Sequence, residues 1–295
     1  MDIQNLQAFL HVAEAGSFSR AAATMHLTQP AVSKRVAALE NQLDIRLFDR
    51  IGRHINLTEA GRALLPRARR IVLELQDTRR ALSQLGETVS GPLIMATSHH
   101  LGLHRLPPIL REFTRRYPGV ELDIRFMESE NASQAVERGD LELAIVTLPL
   151  SPPPGLSIRC IWPDPLVVTV AADHPLARDR RPQASTLGQW PCILPDHSTY
   201  TRTLIDAAFA RHEVSLQPRL STNYLETIRM LVSIGMGWGV LPASMASNSE
   251  LITLHPADIN IHRELGVVRH RERSLSRAGQ SLLELLEEAA AREET

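Results

Sequence analysis

A chain of 295 residues with 43% hydrophobic and 22% charged residues is too long for one small domain and too apolar to be disordered, so it predicts two or three folding units with proper cores. The net charge of −1 excludes a uniformly basic nucleic-acid binder and turns attention to how charge is distributed. Residues 1–90 carry 12 Lys+Arg against 9 Asp+Glu, and the remainder 20 against 24, a modest basic bias at the N-terminal end. The start, Met1-Asp2-Ile3-Gln4, lacks the basic and apolar run of an export signal, and no stretch approaches the roughly 18 apolar residues of a membrane span. A cytoplasmic protein without membrane partners is expected. Cys160 and Cys192, without CxxC spacing, read as small buried hydrophobes rather than a redox pair.

In chain order, Leu6, Phe9, Leu10 and Ala13 follow helical spacing up to Ala15-Gly16, whose glycine suits a left-handed helix end. Ser17 or Ser19 then caps a short second helix with Phe18, Ala21, Ala22 and Met25 on its buried face. The polar step His26-Leu27-Thr28-Gln29-Pro30 breaks what would otherwise be one alanine-rich helix. Thr28 is a good N-cap, and Pro30 falls in the first turn, where its missing N–H is harmless. Val32, Val36, Leu39 and Leu43 repeat at i, i+4, i+7 and i+11, so a third helix starts after the break. Two short helices with small residues at their crossing form a helix-turn-helix, and the outer face of the third carries Gln29, Ser33, Lys34 and Ala37, side chains small or polar enough for a major groove.

The segment "IRLFDRIGRHINLTEAG" alternates apolar residues and turns at Ile51-Gly52-Arg53, which predicts a two-stranded wing with Arg50 and Arg53 flanking its tip. From Thr58, the periodic Ala60, Leu64, Leu65, Ala68, Ile71, Val72 and Leu75 predict an uninterrupted helix to about Leu85, about 40 Å long. Nothing in so small an N-terminal module is large enough to cover that stripe, so a partner helix is expected.

Beyond Ser90-Gly91-Pro92, strand and helix patterns alternate: "GPLIMAT", "LHRLPPILREFTRRY", "VELDIRF", "NASQAVERG" and "LELAIV", then "DPLVVTVAA", "CILPD", "TLIDAAFARH" and "TIRMLVSIGMGWGVLP". The chain returns through "ELGVVRH" to a last helix from Ser276 to about Ala291. This alternation predicts a mostly parallel sheet and a two-lobed α/β clamshell with its ligand crevice at the strand ends.

The order winged helix-turn-helix, long helix, two-lobed α/β domain resembles the LysR-type transcriptional regulators over essentially the whole chain. The resemblance rests on "FLHVAEAGSFSRAAATMHLTQPAVSKRVAALE", "LFDR", "LTEAG", "GDLELAIV" and "ETIRMLVSIGMGWGVLP". It implies a DNA-binding domain at 1–57, a linker and dimerisation helix at 58–88, and a periplasmic-binding-protein-like effector domain at 91–295, with lobe I at about 91–162 and 266–295 and lobe II at about 163–265. It further implies a homodimer or homotetramer on an interrupted inverted repeat, commonly an activator working with RNA polymerase and responding to a small co-inducer. It implies no enzymatic activity and no cofactor.

For DNA contact the resemblance carries over Gln29, Pro30, Ser33 and Lys34 on the third helix, Arg50 and Arg53 on the wing and Thr58 at the linker-helix cap. Gln and Lys can read base edges, while Arg and hydroxyl groups mostly position phosphates. For the effector, Thr97, Ser98 and His99 stand where the first strand of the large domain gives way to a helix, a place that favours an anion. Ser198, Thr199 and Tyr224 are expected from the opposing lobe, within "PDHSTYTR" and "TNYLETIRM", and Ser129 and Thr147 at the rim. The expected ligand is a small carboxylate. The alternative is a sulfur oxyanion, because "TSHHLGLHRLP" resembles the matching segment of the family's cysteine-regulon activators.

Rival readings are weaker. His99, His100 and His104 stand at i, i+1 and i+5, which do not share a helix face, and no Cys or carboxylate is near in sequence, so no metal site is assigned. Ser98 and His99 lack the G-x-S-x-G elbow of an acyl-transfer enzyme. Gly235, Gly237 and Gly239 precede a strand rather than a helix, which points to close helix–strand packing instead of a dinucleotide loop. A solute-binding protein would not need the helix-turn-helix and would normally carry an export signal.

Overall fold

The computed structural model describes residues 2–51, 54–83, 88–246 and 250–293, and for residues 50, 51, 54, 76, 77 and 79–83 the backbone alone. The chain divides into two compact units, Met1–Leu85 and Gly86–Thr295.

The N-terminal unit opens with α1 (Ile3–Ala15), which ends on Gly16 at φ 58, the left-handed conformation a glycine adopts without strain. Ser17 caps α2 (Phe18–Thr24) by accepting a hydrogen bond from the Arg20 N–H. The turn that follows holds His26 at φ 52, and Thr28 then caps α3 (Gln29–Leu43), whose second residue is Pro30. Val32, Val36 and Leu39 are fully buried against Phe9, Val12 and Phe18. Leu43, read from sequence as the fourth residue of that stripe, is 37% exposed, because the helix has run past the edge of this small core. The Glu40 carboxylate accepts from the Leu47 and Phe48 N–H groups, tying α3 to the wing strands β1 (Phe48–Ile51) and β2 (His54–Leu57), which pair antiparallel. The wing's tip, Gly52 and Arg53, lies outside the described residues.

The long helix α4 runs from Glu59 to Ser83 with Pro66 inside it; the expected end at Leu85 lies outside the described residues. One expectation is corrected. Ala68 and Val72 are buried in the N-terminal core, and Leu64 and Leu65 pack against it, so the module covers part of the apolar stripe itself. Ile71 is left 40% exposed.

The larger unit contains β3 (Gly91–Thr97), α5 (His99–His104), α6 (Leu106–Arg116), β4 (Val120–Phe126), α7 (Ser129–Arg138), β5 (Leu143–Thr147) and the long β6 (Leu156–Ala171). It continues with α8 (Ala184–Leu187), β7 (Cys192–Leu194), α9 (Tyr200–Ala210), β8 (Pro218–Ser221), α10 (Leu225–Ser233), β9 (Trp238–Pro242), α11 (Ala243–Ala246), β10 (Leu251–Leu254), β11 (Ile261–His270) and α12 (Arg277–Glu293). The expected single helix around Leu103–Tyr117 is two helices broken at Arg105. Pro107 and Pro108 lack the N–H groups that a continuous helix needs but suit the first turn of a new one.

The nine strands form one sheet in the order β4-β3-β5-β11-β6-β9-β7-β8, with β10 also on β6. It is mixed, not mostly parallel: β4-β3-β5 and β9-β7-β8 are parallel triplets, joined through antiparallel pairings of β11 with β5 and β6 and of β6 with β9 and β10. One group of cores lies around β3, β5, α6 and α12. Another lies around β7, β9, α9 and α10. Strands β6 and β11 contribute to both groups.

Of the three glycines around the start of β9, Gly239 packs against α10 as the sequence suggests, Gly237 instead approaches the backbone at Pro191, and Gly235, at φ 81, meets no close neighbour. A Cβ on Gly237, at φ 156, would stand 2.4 Å from the Pro191 carbonyl oxygen, and one on Gly239 would stand 2.8 Å from Val232 Cγ2. Both are shorter than a carbon tolerates, and at Gly237 the atom met is backbone, so the chain itself would have to move. Gly237→Ala should therefore destabilise this unit by about 2 kcal/mol or more, lowering the melting temperature of the full-length protein by several degrees in a thermal unfolding experiment.

Candidate functional site

The outer face of α3 follows from its capping. The Thr28 hydroxyl accepts from the Ala31 N–H at 3.4 Å, so the helix starts at Gln29, and burying Val32 and Val36 turns Gln29, Pro30 and Lys34 outward, all exposed. Ser33 is half-buried, and the Gln29 side-chain amide donates to its hydroxyl at 3.4 Å. Gln29, Pro30, Ser33 and Lys34 thus share one end and one face of a helix. Thr58 is different. Its hydroxyl donates to the Arg46 carbonyl at 2.8 Å and accepts from the Gly61 N–H at 3.0 Å, both within the module, so it works as the cap of α4. The side chain of Arg50 and all of Arg53 lie outside the described residues.

In the larger unit, a cleft of about 540 Å³, counting its open mouth, is lined on one side by Ser98, His99, His100, Glu128, Ser129, Glu130 and Thr147. Facing them are Pro195, Thr199, Thr201, Asn223, Leu225, Glu226 and Arg263. The ends of β3 and β5 and the starts of α5 and α7 supply the first set; the starts of α9 and α10, with β11, supply the second. It is a meeting of strand and helix termini, where side chains project into space instead of into a core.

Five of the eight expected effector residues line this cleft: Ser98, His99, Ser129, Thr147 and Thr199. Ser98 precedes α5 without a side-chain capping bond. The Ser129 hydroxyl accepts from the Thr147 N–H at 3.2 Å, and Thr199 caps α9 through the Arg202 N–H. The other three stand elsewhere. Thr97 is fully buried beneath Gly102 of α5 and donates to the Ile145 carbonyl at 2.9 Å. Ser198 is bound to the Asp196 carboxylate at 2.7 Å in a surface turn. Tyr224 is half exposed and meets His99 edge-on, with ring centroids 5.1 Å apart.

The sequence reading missed the charged lining. Arg263 and Asp164 are cross-strand neighbours on β11 and β6, 6% and 2% exposed, with Arg263 Nε 2.7 Å from an Asp164 oxygen. Arg263 Nη1 donates to the Thr201 hydroxyl at 3.1 Å, while Nη2 is buried with no hydrogen-bond partner among the described residues. The Glu130 carboxylate accepts from the Tyr200 N–H at the start of α9. Burial, aided by the Glu130 charge, pushes the Glu128 carboxyl above its ordinary range. Asn223 and Glu226 fall inside a segment chosen for Tyr224. Arg263 gave no local signal, because only strand register brings it to the cleft.

His100 is also buried, its Nδ1 without a partner among the described residues. Burial first, then the Arg263 charge, lowers its pKa to about 4, so the imidazole is neutral. His104 Nε2 stands 2.9 Å from Glu226 Oε1. Neither thiol is primed for redox chemistry: Cys192 is buried and its pKa raised to about 11, and desolvation also raises that of Cys160. Cys160 is exposed, against the expectation that both would be buried.

Comparison with known proteins agrees with both units. Residues 3–62 match the bacterial regulatory helix-turn-helix protein, lysR family, and residues 86–291 match the LysR substrate binding domain. An uncharacterized HTH-type transcriptional regulator in the ibpB-leuC intergenic region of Azotobacter vinelandii is 68% identical over 108 residues, 37% of this chain and 75% of that protein. The uncharacterized HTH-type transcriptional regulator YfeR of Shigella flexneri is 31% identical over 96% of this chain and 92% of its own. Full-length CbnR, solved in complex with its target DNA, has a similar fold at TM-score 0.59 and 22% identity, covering 99% of each chain. No helix among the described residues is long and apolar enough to cross a membrane. A capped helix-turn-helix with a wing, a long linker helix and an α/β domain with a polar cleft, matched by both family models and by YfeR over nearly the whole chain, make the chain a member of the LysR family of DNA-binding transcriptional regulators, with an effector-binding domain and no enzymatic activity.

Proposed function

We propose that this regulator binds an interrupted inverted repeat as a homo-oligomer, reading bases with Gln29, Ser33 and Lys34 while Arg50, Arg53 and other basic groups hold phosphates. Its effector is a small carboxylate that also carries hydroxyl or amino donors. The observation that carries the effector reading is the buried Arg263 Nη2 without a partner beside the cleft. A buried guanidinium nitrogen left unpaired is destabilising, and a carboxylate oxygen is its natural partner. Support also comes from the start of α9, where a carboxylate, that of Glu130, already accepts from Tyr200. Glu128, Glu130 and Glu226 around the same cleft call for a ligand that donates as well as accepts. That weighs against sulfate, which at neutral pH only accepts. Control of transcription then follows from differential binding: an effector that fits one arrangement of the cleft better than another shifts the regulator's population.

Ser33→Ala with Lys34→Ala should weaken binding to DNA from upstream of the protein's own gene by 1–3 kcal/mol, roughly 5- to 150-fold, in a gel-shift titration. The variant's melting temperature should be unchanged, and the slope of log K against log salt should fall by about one if Lys34 meets a phosphate. Equal affinity of variant and parent would exclude this face as the reading surface.

Ile71→Glu with Leu75→Glu tests the α4 stripe, since neither side chain belongs to the buried core of its own module. Light scattering should show a smaller assembly, and binding to paired half-sites should be lost while a single half-site is still bound weakly.

In a thermal-shift screen of the full-length protein, hydroxy- or amino-carboxylates should raise the melting temperature, by an amount equivalent to about 2.7 kcal/mol at a hundredfold excess over Kd, and sulfate should not. Ser98→Ala should reduce the shift without altering the apo melting temperature, because that hydroxyl makes no capping bond. Stabilisation by neutral or cationic compounds alone would refute the carboxylate reading.

A further inference from the structure

We propose that His100, His104 and Glu226 hold one divalent transition-metal ion, with zinc the best match, at the edge of the cleft between α5 and α10. Helical geometry supplies the first pair: residues i and i+4 stack on one face of a helix, and the two imidazole rings of α5 lie 5.1 Å apart. The fold supplies the third donor. Glu226, in the first turn of α10, brings its carboxylate within 2.9 Å of His104 Nε2. The three donor atoms all lie within 4.8 Å of one another. A tetrahedral zinc with bonds of about 2.1 Å wants its donors about 3.4 Å apart, so rotamer adjustments of about 1 Å close the site.

A second observation separates this cluster from an ordinary surface ion pair. His100 is 7% exposed, and its Nδ1 is buried without a partner among the described residues. A buried imidazole nitrogen with no partner is a costly arrangement that a metal or a hydrogen-bonding ligand relieves. His104 and Glu226 remain partly exposed, which gives an ion a way in. The guanidinium of Arg263, which lines the same cleft, opposes a cation there, and its partner Asp164 offsets that opposition in part.

Two imidazoles and one carboxylate suit zinc, nickel, copper or cobalt and do not suit magnesium or calcium, which take oxygen donors. Three protein ligands also leave a coordination position for water or an added ligand. The His pair comes from α5 and the carboxylate from α10, elements that pack into different core groups. The ion would therefore join the two sides of the cleft whichever effector the cleft accepts.

The test uses untagged, chelator-treated full-length protein in a buffer free of carboxylates, titrated with cobalt(II) and then zinc(II). The expected result is one cobalt per chain, with the visible d–d bands of a four-coordinate centre that disappear as zinc displaces it. His104→Gln and Glu226→Gln should each weaken cobalt binding by at least about tenfold, the lower bound set by the loss of a mere supporting partner. His255→Gln, at an exposed histidine elsewhere, should leave it unchanged. Both site variants alter partly exposed side chains, and an unchanged melting temperature in the absence of metal shows that they fold. Absence of stoichiometric binding by the parent protein, or binding that survives both substitutions, overturns the proposal and leaves His104–Glu226 as a solvated ion pair. Neither result bears on the carboxylate reading, which is decided in metal-free protein.

Discussion

The effector domain is organised around one buried ion pair. Arg263 and Asp164 face each other across β11 and β6, the two strands that contribute to both groups of cores. Charges so deeply buried are tolerated only when paired, and removing one member typically costs 3–5 kcal/mol, because the survivor is left without solvent or partner. The pair therefore pins β6 against β11 in register, and with it the relation between the sheet's two parallel triplets. Arg263 reaches further, to the Thr201 hydroxyl in the first turn of α9. A single guanidinium thus ties the centre of the sheet to a helix start at the cleft and still presents one unpaired nitrogen.

The cleft is polar for the same reason that it exists. Helix and strand ends leave backbone N–H and carbonyl groups without regular partners, and the chain meets this need with short polar side chains and carboxylates. Glu130 on the start of α9, Thr199 as its cap and Ser129 on the Thr147 N–H are all satisfied locally. Arg263 Nη2 and His100 Nδ1 are the buried nitrogens of this region left without partners among the described residues. Residues that complete their own structure position the site. Those that do not are the ones available to a ligand.

In the N-terminal unit, local chemistry alone sets the face proposed to read DNA. Thr28, Pro30 and the left-handed His26 set where α3 begins. The period of Val32, Val36 and Leu39 sets which side it buries, and the outward face follows without reference to any other part of the chain. Thr58 marks the limit of that logic. Its capping bond from the Gly61 N–H is local and was legible as the start of α4, but its bond to the Arg46 carbonyl appears only when the wing folds back.

The pattern of success and failure along the chain has one physical source. Period, caps and turns act over a few residues, so sequence by itself determined the helix-turn-helix, the wing strands, the linker helix, the alternation of strands and helices, and the tight helix–strand contact at Gly239. Even the break at Arg105 was written in Pro107 and Pro108, although the apolar spacing argued for one helix. Strand direction and partner choice depend on contacts between distant segments. Tertiary structure alone therefore decided that the middle of the sheet is antiparallel, that Thr97 is buried beneath α5 while Ser98 faces the cleft, that Arg263 opposes Asp164, and that Glu226 meets a histidine 122 positions earlier. A cleft assembled from the ends of many elements has no local period to announce it, because its residues are neighbours only after long-range pairing has brought them together.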